Sequence, residues 1–148
     1  MNITYLIVPM LIVSGCGGTR SDTIGLAEGK LPACPKSPNC VLSQTTDQSH
    51  FIEPLHYSGP HADSFSSLLA IIKSMKGTKI ITQTENYIHV EFTSRLFRFV
   101  DDVEFLVDEK ANVIHVRSAS RVGYSDFGAN RKRIEKIRKS FVDRKPAQ

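Results

Sequence analysis

Tryptophan is absent from this chain of 148 residues, and cysteine is scarce at three. A core without tryptophan must be assembled from Ile, Val, Leu and the eight Phe. Charge of one sign is scarce as well: 19 Lys+Arg stand against 15 Asp+Glu, a formal net of +4, which is too little for a dedicated nucleic-acid binder. No apolar run approaches the ~20 residues of a bilayer-spanning helix. Familiar catalytic signatures are missing too, with no Gly-x-Ser-x-Gly elbow, no phosphate loop and no His-Glu-x-x-His. What is present is ordinary for one folded domain, 41% hydrophobic and 23% charged, which excludes disorder. The length excludes a second full domain.

The most apolar stretch, Ile3 to Val13, has the length of a signal-peptide hydrophobic region. It runs directly into Val13-Ser14-Gly15-Cys16, which resembles a bacterial lipobox: two small residues fit the peptidase cleft, and the thiol carries the lipid. The expected division is a lipoprotein signal peptide over 1–15, a lipidated, palmitate-bearing tether over 16–30, and a single α+β domain over 31–148. Gly17, where Asp would favour inner-membrane retention, implies the outer membrane and a domain facing the periplasm. Small polar residues with four Gly between Gly17 and Gly29 suit a flexible tether.

An extracytoplasmic address gives the remaining cysteines a meaning. Cys34 and Cys40, in CPKSPNC, form an even pair in an oxidising compartment and read as a disulfide. The competing idea is zinc, but two thiolates need two further ligands, and His50, His56 and His61 repeat no familiar zinc spacing.

Phe51 to Ser58 predicts a first strand, confined by Pro54 to an edge or a bulge. Helical spacing of Phe65, Leu68, Leu69, Ile72 and Met75 predicts a helix capped by Asp63 or Ser64, with Gly77 at its C-terminal cap. Strand-like segments follow at Lys79–Thr84, Tyr87–Thr93, Phe97–Val107 and Val113–Ser120, with turns at Glu85-Asn86 and Asp108–Asn112. A second amphipathic helix is predicted near Gly128–Arg144. The order strand, helix, four strands, helix implies an antiparallel sheet with both helices on one face, similar to TATA-binding-protein-like and helix-grip folds.

Strand alternation then gathers His89, Glu91, Asp102, Glu104 and His115, with Arg117, on the other face. Two readings stand: a solvated face with cross-strand pairs, or a polar binding floor. A metal bound by His89, Asp102, Glu104 and His115 is disfavoured by the neighbouring Arg95, Arg98 and Arg117, which would repel the ion and partner the carboxylates. The segment Arg117 to Glu135 joins last strand to last helix, a place where free N–H groups and a positive helix end suit an anion. Candidate anion-binding residues are Arg95, Arg117, Ser118, Ser120, Arg121, Tyr124, Asn130 and Arg131. The structural alternative has Ser125 or Asp126 as helix cap and Arg121 pinned to Asp101 or Asp126. Nine cations against three carboxylates between Arg121 and Lys145 suggest a division of labour. Arg121 and Arg131 are expected to point into the junction, while Lys132, Lys136 and Lys139 face outward.

CPKSPNCVLS at Cys34–Ser43, FRFVDDVEF at Phe97–Phe105 and IHVRSASRVGYSDFGANRKRIE at Ile114–Glu135 together resemble the signature blocks of the bacterial and plastid family called domain of unknown function 1499. Leu42 stands where a second Ser is usual. The resemblance implies a membrane-associated or extracytoplasmic domain and supplies no catalytic residue. No cofactor, metal or nucleic acid is expected. The sequence thus points to a lipid-anchored envelope module for an anionic lipid, a cell-wall component or a protein partner. The alternatives are a hydrolase or transferase using Asp102, Glu104 and His115, and a purely structural lipoprotein. A free carboxylate pair would favour chemistry, and carboxylates neutralised by arginine would not.

Overall fold

The computed structural model describes residues 24–143. Cys16 and the expected signal peptide over 1–15 lie outside the described residues. Eight elements follow in order: β1 (Cys40–Leu42), β2 (Leu55–His56), α1 (His61–Ser74), β3 (Thr78–Gln83), β4 (Tyr87–Thr93), β5 (Val100–Asp108), β6 (Val113–Ser120) and α2 (Ala129–Asp143). They form an α+β domain with one six-stranded antiparallel sheet, in the order β1-β6-β5-β4-β3 with β2 also on β6.

The first edge of this sheet is built from two pieces. Cys40–Leu42 pairs with the C-terminal half of β6 and Leu55–His56 with its start, so both lie along one strand. The predicted strand over Phe51–Ser58 therefore shrinks to two residues, and Phe51 contributes only an isolated bridge to Leu42. Pro54 offers no N–H to a ladder, and the bend there leaves the Glu53 and Pro54 carbonyls to accept both ends of the Arg138 guanidinium of α2.

The predicted helix starts earlier than Asp63, at His61, with Pro60 at its N-cap and no side-chain cap. Its chain turns into β3 through Gly77, whose φ is +78°. A Cβ there would lie 2.5 Å from the Thr93 carbonyl oxygen, so a side chain would collide with β4. The predicted fourth strand loses its first residues for a local reason. Arg98 sits at φ +56°, Ser94 and Phe99 close a turn through Ser94 N–H to Phe99 O, and Phe99 N–H donates to Ser94 Oγ. Phe97 and Phe99 are thus exposed and not core.

One sheet face is apolar. Ile88, Val90 and Phe92 of β4, Val103, Phe105 and Val107 of β5, and Ile114 and Val116 of β6 share a buried cluster with Leu68 and Ile72 of α1 and Ile134 and Ile137 of α2. The opposite face is not open to water. The arm 24–39 lies over it: Leu31 and Cys34 pack with Leu42, Tyr87 and Leu106, and the Gly25 N–H donates to Glu104. Residues 24–30, expected within the tether, thus already engage the domain, and Ala27 pairs with Lys30. A Cys34–Cys40 disulfide, with Cα atoms 5.7 Å apart, staples the arm to β1.

Candidate functional site

Antiparallel register decides which charges meet. His89 is opposite Glu104, Glu91 opposite Asp102, Glu104 opposite Arg117 and Leu106 opposite His115, so the polar side chains of three neighbouring strands share one face. They are buried beneath the arm: Glu104 is 0%, His89 1%, Asp102 2% and Arg117 2% exposed. Neither a solvated face nor an open floor describes this. It is a second, ionic core.

Its pairing is nearly complete. Glu104 accepts from Arg117 Nη1 at 2.9 Å, from the Tyr87 hydroxyl at 2.7 Å and from the Gly25 N–H at 2.9 Å. Asp102 accepts from His89 Nε2 at 2.7 Å and from Arg121 through Nε at 2.7 Å and Nη2 at 2.8 Å. The same Nη2 also donates to Glu91. Burial pushes the Asp102 carboxyl upward, but the Arg121 and His89 hydrogen bonds win and hold it down at about 2. The Tyr87 hydroxyl moves the other way, raised by burial and by the Glu104 carboxylate it serves. Among the described residues, one buried side-chain atom lacks a partner: Arg117 Nε.

Arg117 also lines a pocket of about 580 Å³ between arm and sheet. Ile24, Cys34 and Ser37 form its arm side, and Asp102, Arg121 and Gly123 its opposite wall. The disulfide and the Asn39 amide, which donates to the Gly123 carbonyl at 2.6 Å, fix the two walls relative to each other.

The other predicted site residues scatter. Ser118 and Asn130 turn to the helix side, where the Ser118 hydroxyl donates to Asn130 Oδ1 and the Asn130 amide bridges the Asn39 carbonyl, Ser120 Oγ and Asp126. Ser120 also lines the pocket rim. Asp126 is the α2 cap, accepting from the Gly128 and Asn130 N–H groups. Burial acts to raise its carboxyl, and these N–H donors more than reverse that. Tyr124 is exposed, and Arg95 lies at the β4–β5 turn beside a separate recess.

Arg121 is inward as expected, but its anchors are Asp102 and Glu91 and not Asp101 or Asp126. Arg131 is not inward: its guanidinium reaches the Ser49 carbonyl at the surface. Arg133, two positions on, takes the junction role by pairing with Asp101, donating to Ser118 Oγ and Asn130 Oδ1, and stacking over Phe92 at 4.9 Å. Helical phase explains the exchange, because Arg133 is one turn from Asn130 and shares its face. Lys132, Lys136 and Lys139 are exposed.

His115 stands apart from the ionic core. Its Nδ1 is 3.2 Å from Ser43 Oγ, and its Nε2 is 3.7 Å from Asp108 Oδ2. This Ser–His–Asp series is not evident from the sequence, in which Ser43 lies far from the other two residues. The Ser43 hydroxyl is buried and accepts the Val116 N–H at 2.9 Å, continuing the β1–β6 ladder, so it serves as a structural bond and not as an exposed nucleophile. Burial lowers the His115 imidazole, against the pull of Asp108.

The fold and site together define an α+β domain whose sheet carries an apolar core on one face and an arm-covered ionic core on the other. Residues 30–141 match the family described as protein of unknown function, DUF1499, and the chain belongs to that family. No curated protein matches it.

Proposed function

We propose that this protein is a membrane-tethered module of the bacterial cell envelope, lipid-modified at Cys16, whose pocket under the arm binds an acceptor-rich group such as phosphate, sulfate or carboxylate. That group would belong to an envelope lipid, a cell-wall component or a partner protein. The observation that carries the reading is Arg117 Nε, a buried cationic donor with no partner on the wall of a pocket. A buried N–H left unsatisfied costs about 1–3 kcal/mol, and a ligand oxygen would recover that. The carboxylates are already matched by Arg117, Arg121 and His89, so the site selects a single well-placed acceptor and is no general anion sink. Seven residues lie between Cys16 and Ile24, eight Cα–Cα steps with a reach of at most about 29 Å, so lipidation would hold the pocket close to the membrane. We read the topology as helix-grip-like with both helices on one face, supported by the core cluster they share.

The alternative hydrolase or transferase reading needs a carboxyl group able to carry a proton or attack a substrate. Asp102 is held at about 2 and tied to arginine, and Glu104 is occupied by three donors, which favours binding over chemistry.

Native mass spectrometry of the full chain purified from envelopes tests the proposal. The expected result is a copurifying small molecule that is lost in Arg117→Gln, together with a rise in melting temperature on adding glycerophosphate. A ligand-free protein that is indifferent to glycerophosphate would overturn it.

A further inference from the structure

One end of the sheet carries apolar side chains that no core claims. The β4–β5 turn follows Thr93, which pairs with Val100; the Gly77 carbonyl accepts the Thr93 N–H; and the Arg121 N–H donates to the Val100 carbonyl. Three connections therefore meet at this end: the α1–β3 turn, the 94–99 turn and the 121–128 loop. Leu96 is 80%, Phe97 66%, Phe99 44%, Tyr124 76% and Phe127 89% exposed. Phe97 and Phe99 stack on each other at 5.7 Å, making a preformed wedge. Beside the wedge, Lys76, Lys79, Arg95 and Arg98 line a recess with no acidic residue among its described lining residues. Carboxylates on the adjoining strands and loop have partners: Glu91, opposite Lys79, and Asp102 with Arg121, Asp101 with Arg133, and Asp126 with the start of α2.

From this placement we infer that the sheet end formed by the 94–99 turn and the 121–128 loop is a docking surface for an anionic lipid bilayer. Aromatic and aliphatic side chains enter the headgroup boundary while flanking cations contact lipid phosphates. The complementarity is specific in kind, because exposed apolar groups flanked on one side by a cluster of cations suit a surface that is negative outside and oily beneath. Ile24, the first of the described residues, lines the pocket together with Arg121 and Gly123 of this loop. Docking of this kind requires no lipid attachment at Cys16 and no occupant beside Arg117, although Arg121 and Gly123 of the 121–128 loop also line the Arg117 pocket.

The absence of tryptophan supplies the assay. Phe97→Trp places the sole indole in the wedge, and Lys110→Trp places one in the exposed β5–β6 turn at the opposite end. Full-length chains carrying each probe are mixed with phosphatidylglycerol-rich or pure phosphatidylcholine vesicles bearing brominated acyl chains. Circular dichroism confirms that both probes sit in folded protein. We expect Phe97→Trp to be quenched by the anionic vesicles and Lys110→Trp to remain unquenched. Adding Arg95→Gln and Arg98→Gln should raise the lipid concentration for half-maximal quenching about 25-fold, at roughly fivefold per cation removed. Equal quenching at both positions, or none at position 97 in vesicle-bound protein, overturns the inference. So does lipid-free, concentration-dependent self-association that shifts the indole emission of the Phe97→Trp chain, which would identify the wedge as a contact between copies.

Discussion

Removing the Arg121 side chain should be among the most damaging single changes available on the sheet's ionic face. Arg121 is 9% exposed and holds Asp102, 2% exposed, by two hydrogen bonds while also meeting Glu91. Arg121→Ala strands a buried carboxylate, a change that costs about 3–5 kcal/mol. At about 4 °C per kcal/mol for a domain of this size, the melting temperature should fall by roughly 12–20 °C. The pH dependence gives the sharper test. Asp102 is held at about 2 against an ordinary 3.8, so in the intact protein it contributes about 2 kcal/mol. That contribution is full above 3.8 and is lost as pH falls through 2. Without Arg121, the upward push of burial is opposed mainly by His89, so the carboxyl rises and can protonate at mild acidity. The penalty of Arg121→Ala, measured by urea denaturation, should therefore be largest at pH 7 and much smaller at pH 3. Arg121→Lys keeps the charge but loses the fork and should fall between the two. A penalty below 1 kcal/mol at pH 7, or one equal at both pH values, would refute the assignment of a buried, charge-determined network.

Reduction of Cys34–Cys40, or the double change to Ser, should cost about 2.4 kcal/mol by loop entropy and increase protease cleavage within 24–39; urea midpoints and limited proteolysis check both. Gly77→Ala should lower stability by about 1–3 kcal/mol, since it combines a left-handed backbone with a Cβ 2.5 Å from the Thr93 carbonyl, and an unchanged urea midpoint would count against that geometry. Cys16→Ser should abolish incorporation of labelled palmitate, and persistent labelling would remove the proposed anchor.

Much of the sheet is legible in the sequence because its central strands obey strict alternation. Ile88, Val90, Phe92, Val103, Phe105 and Val107 alternate with His89, Glu91, Asp102 and Glu104, and a one-residue slip would bury the wrong set. The cover over the polar face is not legible, because the arm has almost no regular structure and holds on through Leu31, a disulfide and a backbone N–H. Periodicity carries no trace of such contacts. β1 is hidden for a related reason, since three residues are too few to show a period. Phe97 and Phe99 read as core in the sequence because hydrophobicity outweighs turn geometry there, and the left-handed Arg98 between them has no clear sequence signal. Arg133 has a signal that Arg131 lacks: counted by helical phase from Asn130, it is the one that shares the junction face.

The bulge between Ile80 and Thr82 in β3 has a consequence for life among many copies of the same chain. β3 is one outer margin of the sheet, and Cys40–Leu42 and Leu55–His56 make the other. A flat, regular margin would offer each neighbour a ready row of backbone partners. Here one side changes register mid-strand and carries the exposed Lys79, while the opposite side is interrupted between two short pieces. Neither can zip to a second copy over more than a few residues. Molecules crowded edge to edge on a surface would therefore remain separate neighbours and would not fuse into a growing ribbon.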